Sequence, residues 1–259
     1  MTDKNVKAND VARMRRGQLM PCMSSKPGVL LLHGFTSSLD CVNGVVPYLK
    51  DLGCDIEMPV LRGHGTKPED LCGVKYFDWL VDAERAYELL ASRTDGVFIV
   101  GLSMGGLVAL NLAQQHTDTL GVVTWAAALE FVNPLARFVG ILGRFFKMWP
   151  GQNSFNDPEC RKKCTNYPRF ATDSFASLYE FAQKTKEILP DIKVPACLIQ
   201  SYKDQVIKPS AARYIYDHIG SETVELNWLS RSGHELGQDM ECTTVFEITA
   251  DYISRRLGR

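Results

Sequence analysis

Six short apolar runs, each bounded by turn residues, most narrow what this chain can fold into. They span 28–33, 55–60, 96–101, 121–125, 196–201 and 223–228. Apolarity in most of them is continuous, as in Val29-Leu-Leu-Leu32 and Val97-Phe-Ile-Val100. A strand with one wet face alternates, whereas a strand covered on both faces need not. Between the runs lie helical patterns. Tyr76, Leu80, Ala83, Tyr87 and Leu90 share one helix face, and residues 210–219 and 244–252 give two further amphipathic segments. This alternation predicts an α/β fold, with a mostly parallel central sheet flanked by helices.

A length of 259 residues suits one large α/β domain, and 45% hydrophobic with 23% charged residues leaves enough apolar matter for a sizeable core. Lys plus Arg total 29 against 30 Asp plus Glu, so the bulk charge invites no nucleic acid. Residues 1–27 are polar where a secretory signal needs an apolar run, and they carry no clear strand signal. No apolar stretch is long enough to cross a bilayer. Eight cysteines without a C-x-x-C pair read as reduced thiols of a cytoplasmic protein, with no metal site expected. The oligomeric state is not encoded in any of these features.

One stretch breaks the rhythm. Residues 129–189 carry no convincing strand, and a structureless loop of that length is improbable, so they are expected to form a helical cap inserted into a core of 28–128 and 190–259. Within it Leu135, Phe138, Val139, Leu142, Phe145, Phe146 and Trp149 recur at helical spacing, with Arg137, Arg144 and Lys147 on the other side. Three readings of that stripe stand side by side: packing on the core, a substrate-binding wall built from Phe138, Leu142 and Phe145, or a basic amphipathic surface in transient contact with lipid.

Gly101-Leu-Ser-Met-Gly105 fits the pattern G-x-S-x-G, which gains meaning only from context. A buried strand precedes it and the nearly all-apolar run Gly106–Ala113 follows as a helix. Ser103 is thereby expected on a tight strand-to-helix turn that projects its hydroxyl at the carboxyl end of the sheet, with the Met104 N–H free at the helix start. A serine hydroxyl is a weak nucleophile at neutral pH and needs a base plus a group that orients the base. Of five histidines, His116 and His218 sit in helical patterns, and His33 and His64 precede glycines in loops before the serine. His234, in the turn between the last strand and the final helix, is the expected base, and Asp204, just past the strand 196–201, the expected orienting acid. A second oxyanion donor is expected in the loop after the first strand, from the Phe35 N–H, with Gly34 permitting close approach and His33 bracing the loop.

At this point a resemblance becomes specific. Val29-Leu-Leu-Leu-His-Gly-Phe-Thr36, Arg62-Gly-His-Gly-Thr66, Pro68-Glu-Asp-Leu71, Gly101-Leu-Ser-Met-Gly-Gly106, Asp204 and Ser232-Gly-His234 are similar to the α/β-hydrolase superfamily, and within it to bacterial carboxylesterases and monoacylglycerol lipases. The resemblance runs from about residue 28 to the end, is weakest across the cap, and implies the order serine, aspartate, histidine, with Ser103 as nucleophile and backbone donors at Phe35 and Met104. It implies hydrolysis of small carboxylic esters, monoacylglycerols foremost, without metal or organic cofactor. A thioesterase, a cofactor-free perhydrolase and a slowly turning ligand sensor are the rival readings of the same constellation.

Overall fold

The structure, a computed structural model, describes residues 26–259 apart from Arg144. The expectations for the amino-terminal segment therefore fall, over residues 1–25, outside the described residues. The chain opens with β1 (Gly28–Leu32), α1 (Asp40–Asn43), α2 (Val46–Asp51), β2 (Asp55–Glu57) and α3 (Tyr76–Ala91). It continues through β3 (Val97–Leu102), α4 (Met104–Gln115), β4 (Gly121–Trp125), α5 (Val139–Leu142), β5 (Met148–Pro150), α6 (Pro158–Arg161) and β6 (Arg169–Ala171). It ends with α7 (Thr172–Ile188), β7 (Ala196–Ser201), α8 (Ser210–His218), β8 (Val224–Leu229) and α9 (Cys242–Arg256).

Six strands form one sheet in the order β2-β1-β3-β4-β7-β8, and every pairing in it is parallel. The continuous apolarity of β1, β3, β4 and β7 follows from two helical layers. Leu30, Leu32, Ile99, Val122 and Leu198 face one layer, with Trp79, Leu107, Phe181 and Ile215. Val29, Leu31, Phe98, Val100 and Ile199 face the other, with Val42, Leu49, Val245 and Tyr252. Each fully buried Leu or Phe contributes roughly 1.5–3 kcal/mol by leaving water. The edge strand β2 stops at Glu57, short of the end of the run 55–60, because Pro59 has no N–H for the ladder.

The chain leaves β1 toward β2 on one side and returns to place β3 on the other, so the loops after β1 and β3 diverge above the sheet's carboxyl edge. Such a switch point leaves a crevice where ligands bind in open α/β sheets. Leu32 pairs with Gly101, which sets the ends of these two strands side by side.

The inserted region differs from the expected all-helical cap. β5 and β6 form an antiparallel ribbon with Trp149 opposite Phe170, and three residues per strand are too few to write a period-two pattern. α7 packs on α4 through the core residues Leu178, Phe181 and Ala182. The aromatic stripe does not form one helix either. A 3₁₀ turn (Pro134–Phe138) passes into the four-residue α5, which ends at Gly143, and Gly140 and Gly143 weaken any longer helix there. Phe138 and Phe145 are 43% and 77% exposed and stand outside the cavity wall, which corrects the substrate-binding reading of those two residues. The Leu142 side chain lies outside the described residues. Leu135, Ala136, Val139 and Trp149 from the same region do line the cavity.

Candidate active site

Ser103 links β3 to α4 at φ 55° and ψ −113°, a conformation that non-glycine residues rarely hold and that costs on the order of 1–3 kcal/mol. Its surroundings enforce it. The Ser103 N–H donates to the Trp125 carbonyl at 2.8 Å, and its own carbonyl accepts from Gly106 at 3.0 Å and Ala128 at 3.1 Å. A Cβ at Gly101 would strike the Gly105 carbonyl, and one at Gly105 would strike the Leu32 carbonyl, so both neighbours must be glycine. Met104 begins α4, where the backbone N–H has no intrahelical acceptor.

The structure brings Ser103, His234 and Asp204 into one hydrogen-bonded chain. Ser103 Oγ lies 2.8 Å from His234 Nε2, and His234 Nδ1 lies 2.9 Å from Asp204 Oδ2. Asp204 also accepts from the Val206 and Ile207 N–H groups, both at 2.8 Å, and from Gln200 Nε2 at 2.9 Å. With donors converging on both of its oxygens, the carboxylate accepts a hydrogen bond from His234 Nδ1–H, which leaves Nε2 as the acceptor facing the serine. Burial pulls the His234 pKa down, but the Asp204 charge, its hydrogen bond and the Glu235 charge together hold it above the ordinary imidazole value.

The other histidines are placed differently. His33 is buried, with Nδ1 donating to the Gly34 carbonyl at 2.8 Å and Nε2 accepting from the Leu61 N–H at 3.0 Å, so it ties the loop after β1 to the loop after β2. His64 stands edge-on to it, with ring centroids 4.8 Å apart. Burial lowers the pKa of His33 to about 4 and that of His64 to about 3. His116 pairs with Glu84 and stacks on Tyr87, and His218 bonds its own helix.

A cavity of about 610 Å³ opens onto Ser103 and His234. Phe35, Phe131, Leu135, Val139, Trp149, Phe170, Phe175 and Val206 give it an apolar wall, while Asn153, Ser154, Asn166 and Glu235 form a polar side. Three acidic residues near the histidine were not legible as site residues. Glu235 is buried on the cavity wall and accepts from Asn166 Nδ2 at 2.6 Å; burial pushes its carboxyl upward, helped by the Asp204 charge and opposed by the His234 charge and the Asn166 hydrogen bond. Glu241 accepts from the Arg231 and Ser232 N–H groups at 2.9 and 2.8 Å, and Asp239 accepts from Gly233 at 2.6 Å. Their one sequence signal is position, since all three fall in the turn just before a helix.

A parallel sheet with this elbow and this hydrogen-bonded trio at its carboxyl edge defines an α/β-hydrolase. The family model described as Serine aminopeptidase, S33, matches residues 24–241, and the chain belongs to that family. A thermostable monoacylglycerol lipase of Bacillus sp. (strain H-257) is 29% identical over 240 residues, covering 89% of this chain and 92% of that protein. A carboxylesterase of Bacillus subtilis (strain 168) is 26% identical over 230 residues, covering 88% and 92%. Among solved structures, one described under LipS and LipT, two metagenome-derived lipolytic enzymes, matches with a TM-score of 0.84 at 30% identity over 89% of this chain and 94% of that one. The chain is an ester hydrolase of the α/β-hydrolase family.

The two buried histidines make stability depend on pH. Between about pH 6.5 and pH 4 the unfolded chain binds protons that the folded chain refuses, so stability falls as pH falls through that window. Each histidine is expected to remove roughly 1.4 kcal/mol per pH unit there. Urea unfolding near pH 7 and near pH 5 checks this, and His64→Phe should lessen the slope; equal stability at the two pH values would refute it.

Proposed function

We propose that the chain cleaves carboxylic esters through an acyl-enzyme on Ser103, with monoacylglycerols and similar short-to-medium chain monoesters as substrates. The observation that carries the reading is the Ser103–His234–Asp204 hydrogen-bond chain at the floor of an apolar cavity. His234 Nε2 takes the Ser103 proton as Oγ attacks the acyl carbon, and Asp204 stabilises the imidazolium that forms. The oxyanion accepts hydrogen bonds from the Phe35 and Met104 N–H groups. The imidazolium then protonates the departing alcohol, and a water activated by the same base releases the acid. A cavity of about 610 Å³ is far larger than an acetyl group requires, and its aromatic wall suits an alkyl chain. The likeness to a monoacylglycerol lipase and a carboxylesterase supports the same substrate class. Free thiols at the seven described cysteines fit a reducing, cytoplasmic setting.

A second feature favours contact with lipid. Phe138, Ile141, Phe145 and Phe146 are exposed in and beside α5, and the Arg137 guanidinium stacks over the Phe138 ring at 4.6 Å. Exposed aromatics beside the basic Arg137 and Lys147 fit an anionic bilayer surface.

Ser103→Ala should lower turnover of glyceryl and aryl esters by roughly 10⁴-fold or more, and Asp204→Asn should lower kcat by about 10⁴-fold with little change in KM. Wild-type turnover in either variant would remove that residue from the mechanism. Because His234 must be neutral to accept the proton, kcat/KM should fall as pH drops, with the acid limb above the ordinary imidazole value. For the cap surface, replacing Arg137 and Lys147 by Gln should weaken binding to anionic vesicles about thirtyfold, from roughly 1 kcal/mol per charge, and spare soluble esters. Unchanged vesicle binding would leave those charges without a lipid role.

A further inference from the structure

We propose that Asp239 is a positioning residue for His234, acting by clamping the cap segment Ser154–Asp157 onto the histidine loop. The inference rests on His234 being the base.

The Asp239 side chain is buried, and four backbone N–H groups point at it. Oδ2 accepts from Gly233 at 2.6 Å and Asn156 at 2.8 Å, while Oδ1 accepts from Asp157 at 3.1 Å and Met240 at 2.9 Å. One carboxylate therefore joins the residue just before His234 to two residues of the cap. The clamped segment in turn holds the histidine itself, since the Ser154 carbonyl accepts from the His234 N–H at 2.7 Å and from the Glu235 N–H at 3.2 Å. Asn156 Nδ2 donates to the Arg231 carbonyl at 2.8 Å. Gln205, next to Asp204, donates from Nε2 to the Phe155 carbonyl and to Asn156 Oδ1, both at 3.2 Å.

Close approach of the two backbones is built in. A Cβ at Gly233 would come within 2.6 Å of the Ser154 carbonyl oxygen and 3.1 Å of the Asn156 nitrogen, so a side chain there would push the cap away. Ser154 and Phe155 also line the cavity, so the wall that meets the substrate is the wall that fixes the base. Four donors around one anionic group form charge-assisted hydrogen bonds, the kind that resist displacement in a buried site. Were the clamp to slacken, the His234 backbone would lose its cap acceptor and the imidazole its fixed distance from Ser103 Oγ, and a misplacement of about 1 Å can cost on the order of a hundredfold in rate.

Asp239→Asn tests this, because the isosteric amide turns one acceptor oxygen into an NH₂ that faces backbone donors. On a soluble p-nitrophenyl ester, kcat should fall about ten- to a hundredfold while KM stays within about twofold. The far-downfield proton resonance of His234 Nδ1–H should shift or broaden in the folded variant. Asn156→Ala, which removes the side-chain bonds to Arg231 and Gln205 but keeps the backbone donor, should give a smaller fall in kcat with KM again preserved. A folded Asp239→Asn with wild-type kcat and an unmoved resonance overturns the proposal. If Asp239→Asn does not fold, Gly233→Ala decides, because its Cβ would press on the Ser154 carbonyl and pry the clamped segment from the histidine loop; a folded Gly233→Ala with wild-type kcat and an unmoved resonance overturns the proposal equally. Failure of the underlying reading looks different: His234→Ala would keep wild-type turnover.

Discussion

Ser103 can hold φ 55° only because the sheet and a helix meet without room for side chains on either side of it. Gly101 lies against the Gly105 carbonyl and Gly105 against the Leu32 carbonyl, so β1, β3 and α4 are locked together at the point where the hydroxyl emerges. That contact fixes more than one residue. It sets the loop after β1 against the elbow, where a Cβ at Gly34 would lie 3.5 Å from that of Ser103. The parallel register of β3, β4, β7 and β8 then delivers the Asp204 and His234 loops to the same edge. Two buried apolar layers supply the free energy against which the local strain of order 1–3 kcal/mol is held.

The cap is bonded to each of these loops. Tyr167 donates its N–H to the Thr36 carbonyl at 2.9 Å, and Thr165 bonds Ser38 and Asp40, so the chain just before β6 holds the loop after β1. Ser154 and Asn156 hold the histidine loop, and Gln205 ties the aspartate loop to Phe155. Negative charge concentrated near His234, on Asp204, Glu235, Asp239 and Glu241, is met largely by hydrogen-bond donors rather than by lysine or arginine side chains. Carboxylates held in place in this way favour a developing imidazolium without reorganising.

Most of the sheet was legible because parallel strands between two helical layers concentrate apolar residues, as Val29–Leu32 and Val97–Val100 do. Ser103, Asp204 and His234 were legible because each follows such a run, so a short motif plus chain order placed all three at one edge. β5 and β6 were not, since three-residue strands such as Arg169–Ala171 carry no period. The stripe through Phe138 and Phe145 misled for a related reason: helical spacing persisted across Gly140 and Gly143, where the backbone turns away and leaves both rings in solvent. Asp239 and Glu241 act on backbone N–H groups, and a carboxylate that caps main chain has no residue partner to reveal it in a sequence.

A structure of the chain inactivated with an alkyl phosphonate puts the role of Ser103 to the sharpest test. The expected result is a single adduct with phosphorus bonded to Ser103 Oγ, the phosphoryl oxygen within hydrogen-bond distance of the Phe35 and Met104 N–H groups, and the alkyl chain against Phe131 and Phe175. An adduct on another residue, or a phosphoryl oxygen pointing away from both donors, would contradict it.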